Sequence, residues 1–202
     1  ADAYTVRLET LILPGTDTGW MEIVMTEGTR LFSGAQFHIE YEADILQLLD
    51  VQPGPDFADW ATFNYNVTVT GDVADVKLGL FAFDMENNLE ISMPQLPTVL
   101  LRLKFGIVED MYFTRPINFV WDECADNAIA VLEGPVSSPG AIPDFLAVSN
   151  FVFDPSGDDV TGSDDRYGGA GEDCLVGSAW NTPERVINFY GGYVDQIGRA
   201  HV

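Results

Sequence analysis

The densest group of potential ligands in this sequence is a run of carboxylates: Asp154, Asp158, Asp159, Asp164 and Asp165, set in a serine- and glycine-rich stretch. Hard carboxylate oxygens on a loop suit calcium. These five are the candidate ligands of a structural calcium ion, with Asp158 and Asp159 first among them. The spacing lacks the bidentate glutamate at the twelfth position of an EF-hand loop, and a solvated acidic loop is the competing reading. The second kind of chemistry is thiol chemistry. Cys124 and Cys174 share no C-x-x-C spacing, and with His38 and His201 they lack the paired spacing of a structural zinc site. Each sits among acidic, turn-like residues (Asp122-Glu123-Cys124-Ala125-Asp126 and Gly171-Glu172-Asp173-Cys174). That setting favours one disulfide over two buried thiols. The bridge would close a loop of about 50 residues and add roughly 4 kcal/mol in the chain-entropy model.

Nucleophilic catalysis is poorly provided for. It needs a base beside the nucleophile, most often histidine. His38 alternates outward on a strand pattern and His201 is penultimate. No G-x-S-x-G, H-E-x-x-H or G-x-x-x-x-G-K-[ST] occurs. Gly168-Gly169-Ala170-Gly171 is flanked by Asp164-Asp165 and Glu172-Asp173, which is a poor setting for a phosphate. With 32 acidic residues, a carboxylate pair at glycosidase spacing carries no weight. The chain is therefore expected not to be an enzyme. Of four tryptophans, Trp121 lies in an apolar run, whereas Trp60 and Trp180 sit in loop-like sequence. Those two are the candidate carbohydrate-stacking residues of an alternative, glycan-binding reading. Asn66-Val67-Thr68 is a glycosylation sequon.

These residues must be held by a fold, and composition bounds it. The chain has 202 residues, 9 Lys+Arg against 32 Asp+Glu, a net charge of −23 and 47% apolar residues. The apolar share supports a real core, and 13 Phe, 7 Tyr and 4 Trp exclude a disordered acidic polymer. The charge excludes a general nucleic-acid binder and opposes docking on an anionic membrane. No window approaches 18 consecutive apolar residues, so no membrane insertion is expected. The first residues, Ala1-Asp2-Ala3-Tyr4, fit a mature chain after signal removal. With the disulfide reading, they lead us to expect a secreted, extracellular or cell-surface protein.

The dominant period is two. Thr5–Leu11, Met21–Met25, Ala35–Glu42, Phe63–Thr70, Ala74–Phe83, Val99–Ile107, Ile117–Trp121, Phe145–Phe153 and Val186–Tyr190 read as strands. Turn signals such as Pro14-Gly15, Pro53-Gly54-Pro55 and Thr70-Gly71-Asp72 separate them. One helical turn is predicted at Ala43–Leu49. Asp154 to Gly177 reads as a long acidic loop, followed by a last strand that rejoins the sheet. The pattern predicts an all-β, antiparallel β-sandwich or barrel.

Gly34-Ala35-Gln36-Phe37-His38-Ile39-Glu40-Tyr41-Glu42-Ala43-Asp44-Ile45-Leu46, leading to Val51-Gln52-Pro53-Gly54, resembles the third-strand region of cohesin modules. Val76-Lys77-Leu78-Gly79-Leu80-Phe81, Leu100–Phe105 and Pro116-Ile117-Asn118-Phe119 are similar to later strands of that family. Related carbohydrate-binding modules share much of the pattern. The resemblance covers roughly residues 4–132. Glu42 stands where the family usually has Asp, and the acidic glycine-rich loop and two cysteines depart from a standard cohesin. The resemblance implies a jelly-roll sandwich over residues 1–202, with a core at 4–132 and a C-terminal extension at 133–202. It also implies a non-catalytic, extracellular protein-binding module whose partner is a dockerin-like module or copies of itself. For self-assembly, the first strand, Tyr4 to Leu13, is the expected element to be shared between subunits. Fold alone does not establish such a function.

Overall fold

In a computed structural model, the residues described are 2–14, 18–28, 31–59, 62–84, 89–92, 95–109, 113–120, 126–130, 151–152 and 185–197. They form strands β1 (Asp2–Leu8), β2 (Leu11–Pro14), β3 (Gly19–Glu27), β4 (Leu31–Phe32), β5 (Gly34–Glu42) and β6 (Leu46–Pro53). A 3-10 turn (Pro55–Phe57) leads to β7 (Thr62–Thr70), β8 (Val73–Phe81), β9 (Phe83–Asp84), β10 (Leu89–Ser92), β11 (Thr98–Ile107) and β12 (Phe113–Phe119). The last are β13 (Ala128–Ala130), β14 (Phe151–Val152), β15 (Arg185–Tyr190) and β16 (Gly192–Ile197).

Two sheets pack face to face. One has the order β15-β1-β3-β11-β6. The other runs β7-β8-β5, and β5 then pairs with β13 along its first half and β12 along its second. Beyond β12 lie β16 and β2. A small β4-β10-β9 sheet caps the assembly. Period-two alternation builds the core between the sheets. Phe37, Ile39 and Tyr41 of β5 and Val76, Leu78 and Leu80 of β8 meet Met21, Ile23 and Met25 of β3 and Leu101, Leu103 and Phe105 of β11, all buried. Phe119 is the aromatic hinge of this core, 6.0 Å from Phe37 and 5.2 Å from Phe189 between ring centroids.

The all-β sandwich expected from the sequence is the one observed. Three local expectations are corrected. The Thr5–Leu11 run is two strands in two sheets: the chain crosses at Glu9-Thr10, with Glu9 N–H donating to Glu22 O at 2.9 Å. Helix is absent from Ala43–Leu49, because Leu46 onward is β6, laddered to β11 from Leu46↔Ile107 to Pro53↔Leu101. Seven residues without caps cannot hold a helix against a ladder that buries Leu46 and Val51. The C-terminal segment holds two described strands, not one: β15 pairs parallel with β1, and β16 pairs parallel with β2.

Candidate partner-binding face

The outward face of β7-β8-β5-β12 is lined largely by polar side chains. Register fixes its rows. Asn64, Gly79 and Gln36 stand side by side across β7, β8 and β5. The next row is Asn66, Lys77 and His38, and the next is Thr68, Asp75, Glu40 and Asn118. Gly79 has a local reason: a Cβ there would lie 2.6 Å from Asn64 Oδ1, so the missing side chain lets the Asn64 amide lie across β8. Beyond the polar rows, Arg115 Nε donates to Glu42 Oε2 at 2.6 Å at the β12 end of the face.

His38 is not the exposed side chain that its outward alternation predicts. It points outward but is 1% exposed. Asp126 and Asn127 cover it. Asp126 Oδ2 lies 3.1 Å from Nδ1, and Asp75 Oδ1 lies 3.0 Å from Nε2. Both ring nitrogens are thus held by carboxylates. Lys77 Nζ lies 3.4 Å from the other Asp126 oxygen. Asn127 bridges the gap between β12 and β13. It accepts from His38 N–H at 2.8 Å and donates to Val120 O at 2.7 Å, while Val120 N–H donates to His38 O at 2.9 Å. A buried ring engaged at both nitrogens is a structural strut, not a base in search of a substrate. Nothing in the sequence signalled this, because Asp126 and Asn127 lie almost ninety positions away.

The other candidates divide by place. Asn66 is exposed at the middle of β7, its Nδ2 3.4 Å from Thr68 Oγ1. Cys124, Cys174, Trp60, Trp180, Trp121, His201 and the five carboxylates Asp154, Asp158, Asp159, Asp164 and Asp165 lie outside the described residues. No group of three or more metal-ligating side chains occurs among the described residues. Trp20, on β3, lies under two cations of the neighbouring strand β11, with Arg102 4.9 Å and Lys104 5.7 Å from the ring. The run expected to be shared between subunits, Tyr4 to Leu13, is β1 followed by the edge strand β2, which pairs with β16. β1 is paired on both sides, with β15 and β3, and Tyr4, Val6 and Leu8 are buried. Exchanging it would break two ladders.

No family model matches the sequence, and no curated protein matches it. Solved structures do. A type I cohesin–dockerin complex from Clostridium thermocellum matches with a TM-score of 0.57 and 13% identity, covering 98% of this chain and 96% of that one. A type I cohesin from Pseudobacteroides cellulosolvens gives 0.56 and 9%, covering 98% and 95%. A second C. thermocellum cohesin–dockerin complex gives 0.55 and 11%, covering 97% and 100%. The class defined by these sheets is therefore the jelly-roll β-sandwich. Within it, the fold of this chain is that of a cohesin domain. No described helix is long and apolar enough to cross a membrane.

Proposed function

We propose that this chain is a secreted, non-catalytic protein-binding module. It takes a dockerin-like module or a copy of itself as partner. One observation carries the reading: a rigid, solvent-facing sheet of polar side chains, Asn64, Gln36, Asn118 and Lys77 among them, on a fold whose solved examples include complexes with dockerins. Amides and hydroxyls on a pre-formed flat surface suit specific recognition, because little side-chain order has to be imposed on binding. The reading as one unit of 202 residues is part of this proposal. So is the bridge between Cys124 and Cys174, which an oxidising compartment would permit. The acidic run Asp154–Asp165 is proposed to take calcium.

The test is capture of the purified chain by immobilised dockerin-like modules, compared with Gln36→Arg. Gln36 is exposed at the middle of β5. Saturable binding that the Gln36→Arg chain loses roughly tenfold or more supports the outward face. Binding that Gln36→Arg leaves intact places the partner elsewhere. Thiol titration under denaturing conditions, and thermal unfolding with calcium against chelator, test the bridge and the ion.

A further inference from the structure

Every free edge of a sheet carries unpaired backbone groups, and proteins usually blunt such edges with charge, proline, a bulge or shortness. The edges of this sandwich can be ranked on that basis, and β15, at the end of the five-stranded sheet, is six residues long and opens with the charge of Arg185. β2 is four residues long and ends in Pro14. β6 carries Asp50 and Pro53 and has a register shift in its ladder. β7 has none of these defences. It runs nine residues, Thr62-Phe63-Asn64-Tyr65-Asn66-Val67-Thr68-Val69-Thr70, without a charge or a proline. Its ladder with β8 holds register from Thr62↔Phe81 to Thr70↔Val73, and β8 is its one partner among the described residues. Its core-side residues also overhang the opposite sheet. Phe63 and Val67 pack partly on the core, but Tyr65 is 42% and Val69 is 56% exposed.

The strand also has a self-complementary order. Its apolar side reads Phe63, Tyr65, Val67, Val69: aromatic in the first half, β-branched in the second. We infer that β7 pairs antiparallel with β7 of a second copy of this chain, across a two-fold axis at Asn66. In that register Phe63 faces Val69 and Tyr65 faces Val67, so every apolar pair is aromatic against β-branched. On the other side Thr62 faces Thr70, Asn64 faces Thr68, and the two Asn66 side chains meet at the axis. Aromatic–β-branched and Thr–Thr pairs are among the stabilising cross-strand combinations. A register moved by two or more positions toward either end leaves part of this set unmatched.

The self-complementary order selects the second copy as occupant of this edge, and charge does not block it at the strand itself. The chain carries 32 acidic and 9 basic residues, so most surfaces of two copies would oppose carboxylate to carboxylate. A charge-free edge strand lets two such chains meet without that repulsion. The contact is isologous and closes on itself, giving a dimer and not a filament. The two β7-β8-β5 sheets become one, and both outward faces stay free. The inference rests on the reading of the chain as a protein-binding module and names one of its partners.

Sedimentation of the full chain over a concentration series is the test, beside Tyr65→Lys, Val69→Lys and two cysteine variants. The expected result is a monomer–dimer equilibrium in the parent chain. Each lysine variant should raise the dissociation constant by roughly tenfold or more, by placing a charge in the apolar rows. At a concentration where the parent is monomeric, their circular dichroism and melting should match it, since both positions are exposed. Under mild oxidation Asn66→Cys should yield a covalent dimer above the parent's background, and Asn64→Cys should not, because only position 66 meets itself. A parent chain that is monomeric throughout overturns the inference. So does a dimer undiminished by both lysines, or one that cross-links equally at 64 and 66. Dockerin capture reads the outward face and sedimentation reads the β7 edge, so one can fail while the other stands.

Discussion

The two flanks of the sandwich are finished in different ways. On one flank the chain itself crosses between sheets twice: β1 passes into β2 at Glu9-Thr10, and β15 passes into β16 at Gly191. The two crossing segments run parallel, each strand of one paired with a strand of the other. Neither sheet ends there without chain continuing into its neighbour. On the other flank, β6 and β7 end their sheets with no crossing strand. There the turn from β5 to β6 joins the sheets at one end, and side chains tie them along their length. Tyr41 of β5 reaches β6, where its hydroxyl accepts from Leu48 N–H at 3.1 Å, and its ring packs edge-on to Phe105 at 5.3 Å. The flank crossed by backbone ends in β15 and β2, which carry Arg185 and Pro14. A flank closed by side chains leaves whole strands available, and β7 is the one without protection.

Perturbations should separate the flanks by size of effect. The largest is expected at Phe189, buried on β15 against Phe119. Phe189→Ala should cost about 3–5 kcal/mol in denaturant unfolding. Equal costs at Phe189 and at the exposed Tyr65 would erase the distinction. Next is Gly192, where the crossing segments touch: a Cβ would lie 2.7 Å from Leu8 O and 2.9 Å from Leu8 Cβ. The obstructing oxygen is backbone and cannot swing aside, so Gly192→Ala should cost about 1–3 kcal/mol.

The open flank gives smaller numbers and a pH signature. Tyr41→Phe keeps the ring but leaves Leu48 N–H without its acceptor, at about 1 kcal/mol. Burial raises the Tyr41 hydroxyl above the ordinary 10.0, partly offset by the hydrogen bond from Leu48 N–H. The folded state therefore holds this proton more tightly than the unfolded state. Its stabilising contribution is complete below pH 10 and is lost as pH rises beyond it. Unfolding free energy should fall with pH in that window, and less steeply in Tyr41→Phe. The smallest effect is expected from Val69→Lys on β7. At a concentration where the chain is monomeric, stability should stay within about 0.5 kcal/mol of the parent. A larger loss would mean that β7 is held by more than its ladder to β8.

The sequence by itself determined the class of the molecule. Alternation in Ala35–Glu42 and Ala74–Phe83 is local, and a period of two sorts Phe37, Ile39, Val76 and Leu78 to one side whatever the strands' partners are. The resemblance of Gly34–Gly54 to cohesin modules pointed to the jelly roll that the solved structures match. Tertiary structure decided what local pattern cannot encode. Ala43–Leu49 became strand because β11 supplies a ladder. His38 went from surface to buried strut because Asp126 and Asn127, far along the chain, fold back over it. Tyr4–Leu8 became a central strand because Arg185–Tyr190 returns beside it. β7 reads in sequence like its neighbours Ala35–Glu42 and Ala74–Phe83. Its exposed edge exists because it is last in the sheet order. A side chain's face follows from the residue itself and its two neighbours, whereas its partner depends on segments that loop closure brings from elsewhere.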